Sequence, residues 1–230
     1  MIKHHPKFEL LKSFVDGDLP ASLSAGIAIH AGMCKQCQHH ITQLTEQVAE
    51  SSFEFEDASL DRLIIDEQKD LDGIATLNFD DMIAGITVSD DIEVIQPKED
   101  KYISFNDTQY VLPTALQSMS LGKTARIGKL SRSRIQLDED EIHTSLLHIE
   151  PGGSVPEHTH KGFELTLLLD GSFEDEKGSY VKGDFIMLDS NHQHHPISVE
   201  GCLCFTVAND ALHFTKGINK LLNPIGSFIY

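Results

Sequence analysis

Long apolar runs, cysteine and positive charge are all scarce in this sequence, and each scarcity removes a class of protein. No apolar stretch in its 230 residues approaches the ~18 needed to cross a bilayer as a helix, so no membrane association is expected. The opening Met1-Ile2-Lys3-His4-His5-Pro6 lacks the apolar core of a secretory leader, and the expected location is the cytoplasm. Only four cysteines are present, as two close pairs, Cys34/Cys37 and Cys202/Cys204. In a reducing compartment the first pair suits metal ligation better than a disulfide. Lys and Arg number 18 against 36 Asp and Glu, and a formal net charge of −18 argues against direct binding of nucleic acid. No stretch resembles a phosphate loop, a catalytic triad or a basic aromatic nucleic-acid surface.

The negative charge is unevenly spread. Residues 51–100 hold 15 Asp and Glu against 3 Lys and Arg, a net of −12, which is two thirds of the total. Such a surface favours a basic partner. For residues 89–100 the simpler reading is a solvated linker.

In the first 71 residues the apolar spacing is helical. Phe8, Leu11, Phe14 and Val15 form one stripe, stopped by Asp16-Gly17-Asp18-Leu19-Pro20. A second helix is predicted over about 21–32, with Leu23, Ile27 and His30 sharing a face and Gly32 marking its end. A third continues through Cys37, Ile41, Leu44 and Val48. Ser51–Asp57 is predicted to be a flexible connector, and a fourth amphipathic helix to span about 58–71. Three helices in ~50 residues make a thin core, which a metal crosslink would reinforce.

The run His30-Ala-Gly-Met-Cys34-Lys-Gln-Cys37 spaces an imidazole and two thiols by four and three residues, one face of a helical turn. That is three quarters of a closed tetrahedral zinc site. The nearest upstream candidates for a fourth ligand are His4 and His5. The plainer alternative is two buried cysteines and a surface histidine on an ordinary helix.

Together with His5, Leu10-Leu11 and Gly17-Asp18-Leu19-Pro20, this run resembles the zinc-binding anti-sigma domain, specifically its ChrR-type branch. The resemblance implies a structural zinc held by His5, His30, Cys34 and Cys37. It gives no role to His39 or His40, which are expected on the surface.

Beyond a linker expected at 86–100, the pattern changes to short period-two segments with Gly and Pro between them. Arg126–Leu130, Ile142–Ile149, Phe163–Leu169, Asp184–Leu188 and Cys202–Val207 all show it, which suggests an antiparallel jelly roll. Within these strands stands Gly152, five residues, His158-Thr159-His160, three residues, Glu164, six residues, Gly171. This spacing matches the first cupin motif. Residues two apart on a strand point the same way, so His158 and His160 share a face, and Glu164 joins them if the strand runs on. Two imidazoles and a carboxylate suit zinc or another divalent transition metal. A further ligand is expected from Asn191-His192-Gln193-His194-His195-Pro196. In ChrR-like cupins it stands two before the proline, which implies His194, with His192 as competitor by strand parity. Cys202 and Cys204 also share a face, either as a redox pair or, more simply, as small buried hydrophobes.

The expected architecture is therefore two domains. Residues 1–85 form a small all-α, zinc-stabilised bundle, 86–100 a linker, and 101–230 an all-β cupin barrel. The resemblance implies an anti-sigma factor that sequesters an extracytoplasmic-function (ECF) sigma factor and releases it under oxidative stress from singlet oxygen or organic peroxide. No catalytic residues are expected. The alternative is a metal-dependent cupin enzyme, a dioxygenase or isomerase, with a helical appendage.

Overall fold

The structure, a computed structural model, describes residues 1–67, 79–88, 99–160, 162–209 and 213–214. Four helices come first: α1 (Phe8–Asp16), α2 (Ala21–Met33), α3 (Lys35–Glu67) and α4 (Phe79–Thr87). The α1 stop is a left-handed Gly17 at φ 79°, which lets the N–H groups of Gly17 and Asp18 reach Phe14 O and Ser13 O. Cys34 separates α2 from α3 in an extended conformation, φ −117° and ψ 102°. The predicted helical turn is thus broken between His30 and Cys37. The connector expected at Ser51–Asp57 is instead helical within α3, consistent with the absence of Gly and Pro from residues 35–67. Residues 68–71 of the expected fourth helix and residues 89–98 of the expected linker lie outside the described residues. In α4, Asp80 and Asp81 occupy the first turn, where the helix dipole favours them, while Met82, Ile83 and Ile86 are exposed.

The strands follow. A hairpin of β1 (Tyr102–Phe105) and β2 (Thr108–Val111) precedes β3 (Ser120–Leu121) and β4 (Ala125–Ile127). The long strands are β5 (Leu130–Gln136), β6 (His143–Ile149), β9 (Phe163–Asp175) and β14 (Cys202–Ala208), hydrogen-bonded in the order β5-β6-β14-β9 and antiparallel throughout. Between β6 and β9 lie β7 (Gly153–Ser154) and β8 (His158–Thr159). Between β9 and β14 lie β10 (Gly178–Val181), β11 (Phe185–Asp189), β12 (Gln193–His194) and β13 (Ile197–Ser198), and β15 (His213–Phe214) comes last. Both β12 and β15 pair with β8 in a small separate sheet. Arg126–Leu130, predicted as one strand, is a tight hairpin between β4 and β5, because Gly128 takes φ 56°.

Contacts divide the chain into two compact units, Met1–Thr45 with Lys101–Tyr230, and Glu46–Asp100. Within the first unit the main sheet is buried on both faces. Leu165, Leu167 and Leu169 of β9, with Leu203, Phe205 and Val207 of β14, join one core with Leu11, Leu23, Ile27 and Ile29 of α1 and α2. Leu168, Cys202, Cys204 and Ala208 face the other way, into a second core with Leu147, Phe173 and Ile186. Two-sided burial explains why every residue of β14 is buried, where period-two patterning leads one to expect alternation. It also explains α2, whose sequence Ala-Ser-Leu-Ser-Ala-Gly-Ile-Ala-Ile-His-Ala-Gly-Met is apolar nearly all round. The helix lies so close to the sheet that a Cβ on Gly26 would sit 2.7 Å from Leu165 Cδ2 and 3.3 Å from Phe205 Cε1.

Candidate metal centres

Two clusters of ligating side chains stand out among the described residues. The first is His5, His30, Cys34 and Cys37. His30 comes from the last turn of α2, Cys34 from the break, Cys37 from the first turn of α3, and His5 from the segment before α1. His30 Nε2 lies 3.3 Å from Cys37 Sγ, and His5 Nδ1 lies 3.4 Å from Cys34 Sγ and 3.5 Å from Cys37 Sγ. Zinc–ligand bonds of about 2.0–2.3 Å put tetrahedral ligand atoms roughly 3.3–3.8 Å apart, and these three separations fall in that range. His30 Nδ1 lies 2.8 Å from the carbonyl of Gly183. A carbonyl only accepts, so Nδ1 carries the proton and the Nε2 lone pair faces the cluster. Burial pushes the Cys37 thiol up to about 12, with the neighbouring Cys34 adding to the effect. Burial likewise lowers His30, against the hydrogen bond to Gly183. Without a cation these groups stay neutral, and a metal here would displace thiol protons.

His4 is exposed, with its ring against Tyr180 at 4.9 Å and its backbone N–H on Asp184. His39 is exposed and His40 half-buried, and neither is in the cluster.

The second cluster is His158, His160, Glu164 and His194, all buried. β8 carries His158, with His160 just beyond its end, β9 carries Glu164, and β12 pairs with β8 so that His194 sits opposite His158. The Nε2 atoms of His158 and His194 are 2.8 Å apart, and those of His160 and His194 3.4 Å. Glu164 Oε2 is 2.7 Å from His160 Nε2 and 3.4 Å from His194 Nε2. His158 Nδ1 donates to Pro156 O at 2.8 Å, and His194 Nδ1 lies 3.6 Å from the Asp175 carboxylate. The proton on His158 Nδ1 leaves its Nε2 lone pair facing inward, 2.8 Å from His194 Nε2, where it can serve a cation. The residues present fit a divalent metal. The adjoining cavity is about 20 Å³, room for an ion or a water, with apolar walls from Leu147, Ile149, Val155 and Phe173.

His192 shares the strand parity of His194 yet stays outside the cluster. Its backbone N–H turns back to Asp189 O, and its ring binds the Asp189 carboxylate at 2.7 Å. Cys202 and Cys204 are both buried, with sulfurs 3.9 Å apart. The Cys204 thiol donates to Cys202, which lowers Cys202 and raises Cys204, and Cys204 borders the cavity. The residues that sequence reasoning missed are the outer partners Pro156, Asp175, Gly183 and Asp184, which carry no motif spacing.

Burial, opposed by Glu164, pushes His158 down to about 3 from an ordinary 6.5. Burial by itself raises Glu164, but the imidazoles of His160 and His194 outweigh it and hold the carboxyl well below the usual range. The sign for His158 follows directly. Below pH 6.5 the unfolded chain takes up a proton that the folded, metal-free chain refuses, so stability falls with pH down to about 3. From pH 7.5 to 5 this one group costs about 2 kcal/mol. Urea unfolding of metal-stripped protein at both pH values checks it, since a His158→Gln variant should lack that part of the slope.

Residues 125–211 match the family described as the ChrR cupin-like domain. The anti-sigma-E factor ChrR of Cereibacter sphaeroides is 25% identical over 232 residues, covering 97% of each chain. A solved structure of Rhodobacter sphaeroides SigE in complex with the anti-sigma ChrR aligns with a TM-score of 0.61 and 22% identity, over 90% of this chain and 100% of that one. That likeness shows the fold, a helical region ahead of a β-rich cupin-like domain. The chain is therefore similar to ChrR along 97% of its length, and its residues 125–211 match the ChrR cupin-like domain.

Proposed function

We propose that this chain is an anti-sigma factor that sequesters an ECF sigma factor through its helical region and regulates transcription by releasing it. The observation that carries the reading is the closed His5, His30, Cys34 and Cys37 cluster at the α2–α3 junction, in a chain similar to ChrR from end to end. Four protein ligands leave a metal no open position, which suits a structural zinc and not a catalytic one. Zinc there would fix α3 and the segment before α1 on the end of α2. The partner-facing part is the acidic stretch 51–100 with the exposed apolar residues Met82, Ile83 and Ile86 of α4. An acidic surface with an apolar stripe suits the basic, polymerase-facing surfaces of a sigma factor.

The cupin is the sensing half in this reading. His158, His160, Glu164 and His194 would hold zinc or another divalent transition metal, and oxidation by singlet oxygen or organic peroxide near it would weaken the grip on sigma. Among the described residues no helix is long and apolar enough to cross a membrane; a partner that works with RNA polymerase implies a protein that acts in the cytoplasm. The cavity beside the second cluster is about 20 Å³, far smaller than a typical substrate pocket, which favours the regulatory reading over an enzyme.

The test is co-purification of the tagged full-length chain from its native host, with and without a zinc chelator. The expected result is recovery of a sigma factor that falls at least tenfold with chelator. Recovery of no sigma factor under either condition overturns the proposal.

A further inference from the structure

The turn Lys182-Gly183-Asp184 between β10 and β11 lies against His30 and against Lys3 and His4, the residues just before His5. Asp184 is fully buried, which is rare for an aspartate unless its charge is satisfied. Its Oδ1 accepts the backbone N–H groups of Lys3 at 2.6 Å and His4 at 3.0 Å, and its Oδ2 accepts that of Val181 at 2.9 Å. The N–H of Phe185 then donates to His4 O at 3.0 Å. Ile2 packs over Gly183 so closely that a Cβ there would meet Ile2 Cδ1 at 2.5 Å, and φ of 93° already demands glycine. The residue after this pinned pair is the ligand His5. On the other side of the same turn, Gly183 O receives the Nδ1–H of His30.

We propose that this turn of the β domain is the outer coordination shell of the N-terminal metal site, with Asp184 as the positioning residue for His5 and Gly183 for His30. The two cysteines need no such help, because the α2–α3 junction fixes them. His5 belongs to a segment with no helix or strand of its own, so the hydrogen bonds to Asp184 are what order it beside the thiols. The N-terminal site therefore holds its metal at full strength only while the β domain keeps the turn in place. The turn also opens β11, whose Leu188 pairs with Glu164 of β9, so the strand pair that carries one cluster presents the outer shell of the other. The inference rests on the reading of the first cluster as a zinc site.

Cobalt(II) substitution of the full-length protein tests it, because only the cysteine-bearing site gives a thiolate-to-cobalt charge-transfer band. Loss of that band to excess EDTA is timed for wild type, Asp184→Ala, Asp184→Asn and Lys3→Pro, alongside thermal unfolding of each. Lys3→Pro deletes one of the N–H donors to Asp184 without touching the β domain. Outer-shell partners are typically worth 10–100-fold in metal affinity, so Asp184→Ala and Lys3→Pro should lose the band about tenfold faster or more, with partial rescue in Asp184→Asn. Rates within twofold of wild type overturn the proposal. So does acceleration in Asp184→Ala alone with a lowered melting temperature, which marks a merely structural aspartate. No charge-transfer band in wild type removes the zinc reading itself, and the proposal with it.

Discussion

Changing Cys34 and Cys37 together to serine is expected to empty the N-terminal site and to abolish recovery of the sigma factor. A neutral hydroxyl does not replace a thiolate, and two of four ligands disappear at once. Structural zinc is worth about 10–16 kcal/mol in small zinc domains, far more than the few hydrogen bonds that remain at the α2–α3 junction. The chain should nevertheless stay folded. Leu11, Leu23, Ile27 and Ile29 are buried in a core shared with Leu165, Leu167 and Phe205 of the sheet, so α1 and α2 keep their seat without the metal. The expected readings are a metal content reduced by one ion per chain, sigma recovery below about a tenth of wild type, and a preserved cooperative melt. Retained sigma binding in a protein shown to lack that ion would separate the site from partner recognition. Uptake of the ion should weaken steeply in acid, since Cys37, with its thiol pushed up to about 12 in the metal-free protein, must release a proton to ligate.

The two side-chain clusters were legible because residues spaced for metal coordination leave a local trace. Spacings of four and three around a helix end, and of two and four around a strand end, survive in one dimension. What escaped has no such trace. The hydrogen bond from Lys3 to Asp184 joins residues 181 apart, and nothing near either one announces it. The choice between His194 and His192 was invisible to parity, which both satisfy; the turn that ties His192 to Asp189 decides it. A connector is expected at Ser51–Asp57, yet Gly and Pro are what reliably interrupt a helix, and residues 35–67 contain neither. The thin core expected of the helical bundle is the most instructive difference. A thin core follows only if the bundle's apolar residues have nothing but each other to pack against. The all-round apolar character of α2 was the available sign that a second surface, the outer face of β9 and β14, completes that core.

The double variant His158→Ala, His160→Ala is expected to keep the sigma factor bound and to lose its release. The two clusters share no ligand, and the main sheet stands between them: Glu164, Thr166 and Leu168 of β9 face inward, while Leu165, Leu167 and Leu169 support the helices. Removing two imidazoles leaves Glu164 and His194, too few to hold a transition metal tightly. It also leaves the carboxyl of Glu164 buried without His160, the partner that does most to hold it charged, so this part of the barrel should take up a proton or water. Helix packing on the far face of the sheet should persist, because the leucines that carry it do not touch the ligands' side of the strand. In a reporter strain driven by the sigma factor, basal repression should stay within about twofold of wild type. Induction by singlet oxygen or organic peroxide should fall to the uninduced level. Normal induction in a protein shown to lack the second metal would mean that the barrel's metal is not the sensor, and would leave the His5, His30, Cys34 and Cys37 site as the one through which release must be sought.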